Sequence, residues 1–192
     1  MDKVKIYIEG GGNRYLNGDL RRAFSRLLQE YGVNGNCYQI VAGGSRGETI
    51  KAIHKQPDSI ILIDSEEMID TKTKLEHLEK TESKESLKGI TENNLFFMVV
   101  CMETWIVSDT EALKKHFGSN FKETKIQNND LINKDKMAII KMIKDSIKEC
   151  KNNEYKKSEA FKILEKASVQ KIVESNSYAK EFFEFLKSKI PN

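Results

Sequence analysis

Carboxylate side chains follow three of the four apolar segments that the sequence predicts to be β-strands. Glu9 follows the first segment, Asp64 and Glu66 follow the third, and Glu103 follows the fourth. Carboxylates that are brought together repel one another unless a cation neutralises them or one of them keeps its proton. Carboxylate oxygens suit Mg²⁺ or Mn²⁺, which completes its shell with water and substrate phosphate. The residue types therefore predict a divalent-metal site.

Spacing assigns different positions to these acids. Asp64 and Glu66 are two residues apart, so in an extended chain they point the same way and can share one metal ion. Glu9, from a neighbouring strand, is expected to act as a base toward water or to bind a second ion. Glu103 is a candidate additional ligand, and a buried or helix-capping acid is the equal alternative. Each acid taken singly also fits an ordinary solvent-exposed residue at a strand end.

Basic residues near the same strand ends are candidates for binding a phosphate. Arg14 and Arg46 follow the two glycine turns, with Arg22 a weaker candidate, and arginine can hold phosphate through two hydrogen bonds. Lys156 and Lys157, farther along the chain, are expected to follow a nucleic-acid backbone. For the lysines, a solvated surface is the competing interpretation.

The first glycine turn does not match the familiar phosphate-binding loops. The run Gly10-Gly11-Gly12-Asn13-Arg14-Tyr15 contains no Gly-Lys-Ser/Thr, and Tyr15 stands where a dinucleotide fingerprint has its third glycine. A carboxylate immediately before the glycines would also repel a bound phosphate unless a metal intervened. Nucleotide binding of either familiar kind is therefore not expected.

Four strands joined by helical segments must position these side chains. The strands are predicted at 4–8, 37–42, 59–63 and 95–101, and the continuous apolar runs of the last two are typical of strands buried on both faces. Helical spacing predicts a helix over 17–31, and Ser45 with Glu48 has capping-box spacing for a helix ending near His54. The same spacing of Ser108 with Glu111, followed by Gly118, predicts a helix over 108–117 that Ser108 caps. This alternation predicts an α/β fold with a mainly parallel four-stranded sheet, whose ligand site lies beyond the carboxyl ends of the strands.

The second half of the chain is predicted to be helical, over 133–151, 158–167 and 177–189. We therefore expect an α/β core over 1–118 and a helical extension over 119–192, packed on the core.

Residues 64–85 contain eight acids and four lysines, whereas 133–157 contain eight lysines and four acids. Trp105, Phe96 and Phe97 lie in strongly apolar segments and are expected in the core.

The sequence also resembles a known fold family. Strand-Glu-Gly at Glu9-Gly10 and an acidic pair at the end of a strand resemble the Toprim fold of topoisomerases, primases and overcoming-lysogenization-defect nucleases. More closely, the chain is similar to a Toprim-like family of unknown function, encoded beside AAA-type ATPases in prokaryotic antiphage defence loci. The motifs that carry this similarity are Ile8-Glu9-Gly10-Gly11-Gly12, Ala42-Gly43-Gly44-Ser45-Arg46, Leu62-Ile63-Asp64-Ser65-Glu66, Cys101-Met102-Glu103-Thr104-Trp105 and Tyr155-Lys156-Lys157.

The resemblance implies metal-dependent phosphodiester chemistry. Glu9 would be the general base or a metal ligand, and Asp64 and Glu66 would hold Mg²⁺ in place of the usual Asp-x-Asp pair. Two such ions would stabilise the attacking and leaving oxygens of an in-line displacement. The expected function is a nuclease that acts as effector in bacterial antiphage defence with an AAA-type ATPase partner. A non-catalytic module that binds and regulates such an ATPase is the main alternative, and phosphoryl transfer on a small molecule is a third.

Composition limits the class of protein. The chain has 192 residues, of which 39% are hydrophobic and 32% are charged, and this composition excludes a disordered chain. Its net charge of +3 excludes a general nucleic-acid coat but allows a local basic surface. Three widely spaced cysteines, no signal-like start and no long apolar run predict a cytoplasmic protein without a membrane segment. DNA and RNA remain equal candidates as substrate, and the oligomeric state is open.

Overall fold

The computed structural model describes residues 3–190, which form a four-stranded sheet covered by helices. The strand order is β2-β1-β3-β4, and every neighbouring pair is parallel. This architecture confirms the predicted α/β class and parallel sheet. The strands are β1 (Val4–Ile8), β2 (Tyr38–Ala42), β3 (Ile60–Asp64) and β4 (Leu95–Met98).

The two central strands place the acidic motifs side by side. In the pairing of β1 with β3, Ile8 lies opposite Leu62, so Glu9 and Asp64 leave the sheet at the same edge. All five residues of β3 are buried, as the continuous apolar run predicts for a strand covered on both faces. The fourth strand is shorter than predicted, because it ends at Met98 and a helix begins at Met102.

Helices cover both faces of the sheet and make up most of the second half of the chain. The predicted capping box at Ser45 is confirmed, since Ser45 and Glu48 bond to each other's backbone amides. Ser108 was expected to cap the helix over 108–117, but this expectation is wrong because the side chain of Asp109 takes that role. The helices are α1 (Arg14–Glu30), α2 (Arg46–Lys55), α3 (Lys74–Leu78), α4 (Met102–Val107), α5 (Thr110–Phe117), α6 (Lys136–Ser146), α7 (Ala160–Leu164), α8 (Val169–Ser175) and α9 (Ser177–Lys189).

Aromatic side chains join the helical second half to the sheet. The buried indole of Trp105 lies 5.9 Å from the ring of Phe24 and 5.6 Å from that of Phe183, measured between centroids. Phe96 of β4 contacts Phe182 of α9 at 5.5 Å. The prediction that Trp105 and Phe96 belong to the core is therefore confirmed. The division at residues 118 and 119 stays a prediction, because one buried cluster includes residues from both sides of it.

Within residues 3–190, every helix is too short or too polar to cross a lipid bilayer.

Candidate metal centre

Three carboxylates converge at the carboxyl edge of the sheet. One oxygen from each of Glu9, Asp64 and Glu66 lies within 4.8 Å of the others. The first two are linked through the backbone, since the amide of Asp64 donates a 3.0 Å hydrogen bond to Oε2 of Glu9. These three residues form a group able to hold a metal ion and are called the acidic cluster below.

Glu66 joins the acidic cluster through an unusual backbone conformation. Its φ of +69° lies in the left-handed region, which non-glycine residues rarely adopt. The two carboxylates of Asp64 and Glu66 come together as expected. The expected cause, an extended chain between them, is wrong, because the backbone at Glu66 is left-handed. The amide of Glu66 donates a 2.8 Å hydrogen bond to the carbonyl of Val100, which fixes this turn against the segment after β4.

Asp64 is the most enclosed member of the acidic cluster, with 4% of its surface exposed. Its Oδ1 accepts a 2.9 Å hydrogen bond from the amide of Met102, the first residue of α4. The side chain of Cys101, the N-cap residue of α4, makes no hydrogen bond to the backbone amides at this helix end. Asp64 thus satisfies one of the unpaired amides at the start of α4, where a negative charge is also favoured.

Burial and mutual repulsion favour the protonated forms of two of these acids. Burial, reinforced by the charge of Glu9, raises the pKa of Asp64 from 3.8 to about 7. Burial also raises the pKa of Glu9, although the amide of Asp64 and the charge of Arg46 oppose the change. A cation placed between these carboxylates would remove both the repulsion and the need for a proton.

Lys136 already places one positive charge at the acidic cluster. Its Nζ lies 2.5 Å from Oε2 of Glu66 and 3.7 Å from Oδ2 of Asp64. Burial disfavours the charged ammonium, but the hydrogen bond to Glu66 and the charge of Asp64 together raise the pKa of Lys136. Lys136 was not predicted as a site residue, because one lysine among the eight of residues 133–157 carries no local signal of its own.

Glu103 is not a member of the acidic cluster, although its charge contributes to the raised pKa of Asp64. It was expected at the end of a strand, but the early end of β4 places it in the first turn of α4, where it is 2% exposed. Its Oε1 accepts a 2.9 Å hydrogen bond from the hydroxyl of Tyr155. Burial, the charge of Glu103 and this hydrogen bond raise the pKa of Tyr155, so the phenol stays neutral. Glu103 is therefore bonded to Tyr155 and is not one of the three carboxylates that could hold a metal ion.

Two of the predicted cations lie at the acidic cluster. The guanidinium of Arg46 donates a hydrogen bond to the backbone carbonyl of Asp64, and its charge opposes the rise in the pKa of Glu9. Lys157 lines the cavity that contains Glu9 and Asp64, and its charge opposes the rise in the pKa of both acids. Both residues therefore add positive charge at the acidic cluster.

The remaining predicted cations lie elsewhere. Arg14 is exposed at the start of α1 and does not line this cavity. Lys156 is exposed and lies 3.2 Å from a carboxylate oxygen of Glu154. Arg22 pairs with Asp19 and lies 3.6 Å from Glu165, so it is engaged away from the acidic cluster.

A cavity of about 340 Å³ opens beside Glu9 and Asp64. Gly10 and Gly44 form one wall, where their backbone groups bond to each other between the two glycine turns. Gly10 has a φ of +119°, and a side-chain carbon there would lie 2.9 Å from the ring of Phe161. Glycine is therefore required at this position for both conformation and space. The cavity is near the lower limit of volume for small-ligand pockets, about 300 Å³.

The acidic cluster fits a hard divalent cation. All three donors are carboxylates, the ligand type that Mg²⁺ and Mn²⁺ prefer. The position of Lys136 shows that the cluster already attracts a positive charge. Glu9, Asp64 and Glu66 would hold such an ion, and Glu103, bonded to Tyr155, would not.

Comparison with known proteins adds a family assignment. A family model described as "Domain of unknown function (DUF4276)" matches residues 9–187. No curated protein and no solved structure matches the chain. The match begins at Glu9 and includes the rest of the acidic cluster, Lys136 and Lys157. The chain belongs to the DUF4276 family.

Proposed function

We propose that this protein is a Mg²⁺-dependent enzyme that hydrolyses phosphodiester bonds in nucleic acid. The observation that carries the proposal is the convergence of Glu9, Asp64 and Glu66 within 4.8 Å of one another at the carboxyl edge of the sheet. Arg46 and Lys157 add positive charge at the same edge. A site that combines carboxylates with flanking cations suits a metal ion and a phosphate group together.

In this proposal each residue has a defined role. Asp64 and Glu66 hold the ion, which when bound neutralises charge on the phosphate oxygens and activates water. Glu9 shares in metal binding or accepts a proton from the attacking water, a role favoured by a pKa that burial raises. Arg46 and Lys157 bind and orient the phosphate. The alternative ion, Mn²⁺, makes the same demands on the ligands.

The biological setting proposed here has a single source of support. The motifs at Glu9, Asp64 and residues 101–105 resemble those of a Toprim-like family found beside AAA-type ATPases in antiphage defence loci. On that basis we place the enzyme in a bacterial defence system, in the cytoplasm, with an AAA-type ATPase as its partner. Adding that ATPase to the cleavage assay described next tests this part of the proposal separately.

A cleavage assay tests the catalytic proposal directly. Purified protein is incubated with end-labelled DNA and RNA oligonucleotides in the presence of Mg²⁺, with and without the partner ATPase. Glu9→Gln and Asp64→Asn should each slow cleavage at least about 100-fold, as loss of a general base or metal ligand does. The matched control is Asp58→Asn, an exposed acid at the opposite edge of the sheet. Wild-type rates in both cluster variants would show that the site assignment is wrong.

One observation favours a second function, a non-catalytic module that docks on and regulates the ATPase. Lys136 already supplies the acidic cluster with an internal cation, which neutralises it without a metal ion. This alternative predicts that the protein binds no divalent metal. Calorimetric titration with Mn²⁺ separates the two functions, because binding that is lost in Asp64→Asn excludes the non-catalytic form.

A further inference from the structure

The large apolar and aromatic side chains that are exposed either follow or precede a residue of the site in sequence, or line a cavity with one. Between residues 3 and 190 there are three of them: Tyr15 is 85% exposed, Met137 69% and Met68 48%. Single exposed apolar residues are ordinary, but large ones gathered around one site mark a surface that binds something. Their positions therefore help to identify the kind of ligand that binds at the acidic cluster.

Each of the three adjoins a residue of the site. Tyr15 precedes Leu16, which lines the cavity beside Glu9 and Asp64. Met137 follows Lys136, whose ammonium contacts Glu66. Met68 lines a second cavity, of about 400 Å³, together with Glu66 and Lys136. Tyr15 and Met137 are thus one residue along the chain from groups of the site, and Met68 shares a cavity with Glu66.

The cavity beside Glu9 and Asp64 is itself divided between polar and apolar walls. Leu16, Met102 and Phe161 contribute apolar surface, while Lys157 and Ser158 contribute a cation and a hydroxyl. A bare phosphate or a metal–phosphate complex would use only the polar part. The apolar part offers contacts to a ligand that also carries a small flat or apolar group.

We propose that the site takes an unstacked nucleotide of a single-stranded nucleic acid, with one base in this cavity and the neighbouring base against Tyr15. This inference rests on the proposed function and names its substrate class. Single-strand binding sites combine positive charge along the backbone with aromatic side chains on which successive bases stack. Lys157 and Arg46 meet the first requirement here, and Tyr15 meets the second.

Duplex nucleic acid fits this arrangement poorly. In a duplex the base faces are stacked on one another, so neither the apolar wall of the cavity nor an exposed tyrosine ring can reach them. A cavity of about 340 Å³ is suited to one flexible unit of a chain rather than to a rigid double helix. The duplex would present only its phosphates and leave Tyr15 and Phe161 without a role.

Binding measured without cleavage tests the inference independently of the enzymatic proposal. Fluorescence anisotropy with Ca²⁺ in place of Mg²⁺ compares a labelled single-stranded oligonucleotide with the same sequence as a blunt duplex. We expect the single strand to bind at least tenfold more tightly. Tyr15→Ala should weaken single-strand binding about tenfold and leave duplex binding unchanged, because stacking on one base is lost. Tyr15→Phe, which keeps the ring, should restore the wild-type affinity.

The possible outcomes separate this inference from its premise. Equal affinity for single strand and duplex, or no effect of Tyr15→Ala, overturns the inference even if the enzyme cleaves both substrates. Binding of a nucleoside monophosphate as tight as that of the oligonucleotide would also overturn it, in favour of a small-molecule substrate. If no nucleic acid binds and Tyr15→Ala instead weakens binding of the ATPase, the exposed face is a protein interface and the inference is wrong. Since Tyr15 is 85% exposed, its variants should keep the fold, which the urea midpoint verifies.

Discussion

Asp64 should make the metal-free protein less stable at pH 8 than at pH 5. Its carboxyl has a pKa of about 7 in the folded protein, against an ordinary value of 3.8. Between these two values the folded chain holds a proton that the unfolded chain has released, so the free energy of unfolding falls as pH rises. The stabilisation is complete below about pH 4 and is lost above about pH 7.

The size of the effect follows from the same two values. One pKa unit equals about 1.4 kcal/mol, so the interval from 3.8 to about 7 corresponds to about 4 kcal/mol in total. Because Asp64 is only 4% exposed, solvent screening reduces this value little. Raising the pH from 5 to 8 covers about two of these units and should remove about 3 kcal/mol of stability.

Urea unfolding provides the assay. The chain has one tryptophan, Trp105, which is fully buried and reports global unfolding by fluorescence. The free energy of unfolding is measured at pH 5 and pH 8 in EDTA, for the wild type and for Asp64→Asn. Asparagine keeps an oxygen that can accept the amide hydrogen bond from Met102 but carries no charge at either pH. Titrating groups away from the acidic cluster are common to both proteins, so the difference reports Asp64 together with the groups coupled to it, Glu9 and Lys136.

The expected result is a loss of stability with pH that is about 3 kcal/mol smaller in Asp64→Asn than in the wild type. Mg²⁺ at 100 times its dissociation constant should return about 2.7 kcal/mol to the wild type at pH 8 and almost nothing to the variant. The same pH dependence in both proteins would refute the reasoning, because it would show that the buried carboxyl does not titrate between pH 5 and pH 8.

Other contacts give further tests. Lys136→Met should destabilise the metal-free protein at pH 8 by about 1 to 2 kcal/mol. It should also increase the stabilisation that Mg²⁺ provides, since the ion no longer competes with an ammonium. Urea unfolding with and without Mg²⁺ measures both effects. Tyr155→Phe should lower the free energy of unfolding by about 1 to 3 kcal/mol, because Glu103 loses its hydrogen-bond donor. The affinity for Mn²⁺, measured by calorimetry, should not change. A large loss of affinity would instead show that Glu103 is a metal ligand. Asp109→Asn should cost about 1 to 3 kcal/mol at pH 7 by weakening the hydrogen bonds from Ser168 and Lys171. Because those partners lower the pKa of Asp109, the difference from wild type should shrink as the pH falls below 4 in urea titrations.

The parallel sheet was predictable because its signals are local. Each of the four predicted strands is rich in apolar residues and is followed by glycine or acidic residues, and the first connecting helix has a clear apolar period. The parallel arrangement follows, since such crossovers connect strands that run the same way. The convergence of Glu9 with Asp64 was predictable for the same reason, because neighbouring parallel strands end at one edge.

The contacts of Glu66, Glu103 and Lys136 were not predictable from local patterns. The left-handed backbone at Glu66 depends on an amide bond to Val100, a residue from a different strand segment. Glu103 was expected at a strand end but lies in a helix. The apolar run over 95–101 does not reveal where the hydrogen-bonded pairing of β4 with β3 ends. Lys136 is separated from Glu66 by 70 residues, and its partner is set by how α6 packs against α4.

The hydrogen bonds of the acidic cluster explain how three carboxylates can stay together without a metal ion. Glu9 uses Oε2 to accept from the amide of Asp64, Asp64 uses Oδ1 to accept from the amide of Met102, and Glu66 uses Oε2 to bind Lys136. Two of these partners are backbone groups that the fold fixes, and only the third is a side chain that can move away. The carboxylates are therefore held in place before an ion arrives, which reduces the cost of ordering them on binding. Metal binding would then require the Lys136 ammonium to leave Glu66 and the acids to release any proton they hold, while the backbone partners of Glu9 and Asp64 stay in place.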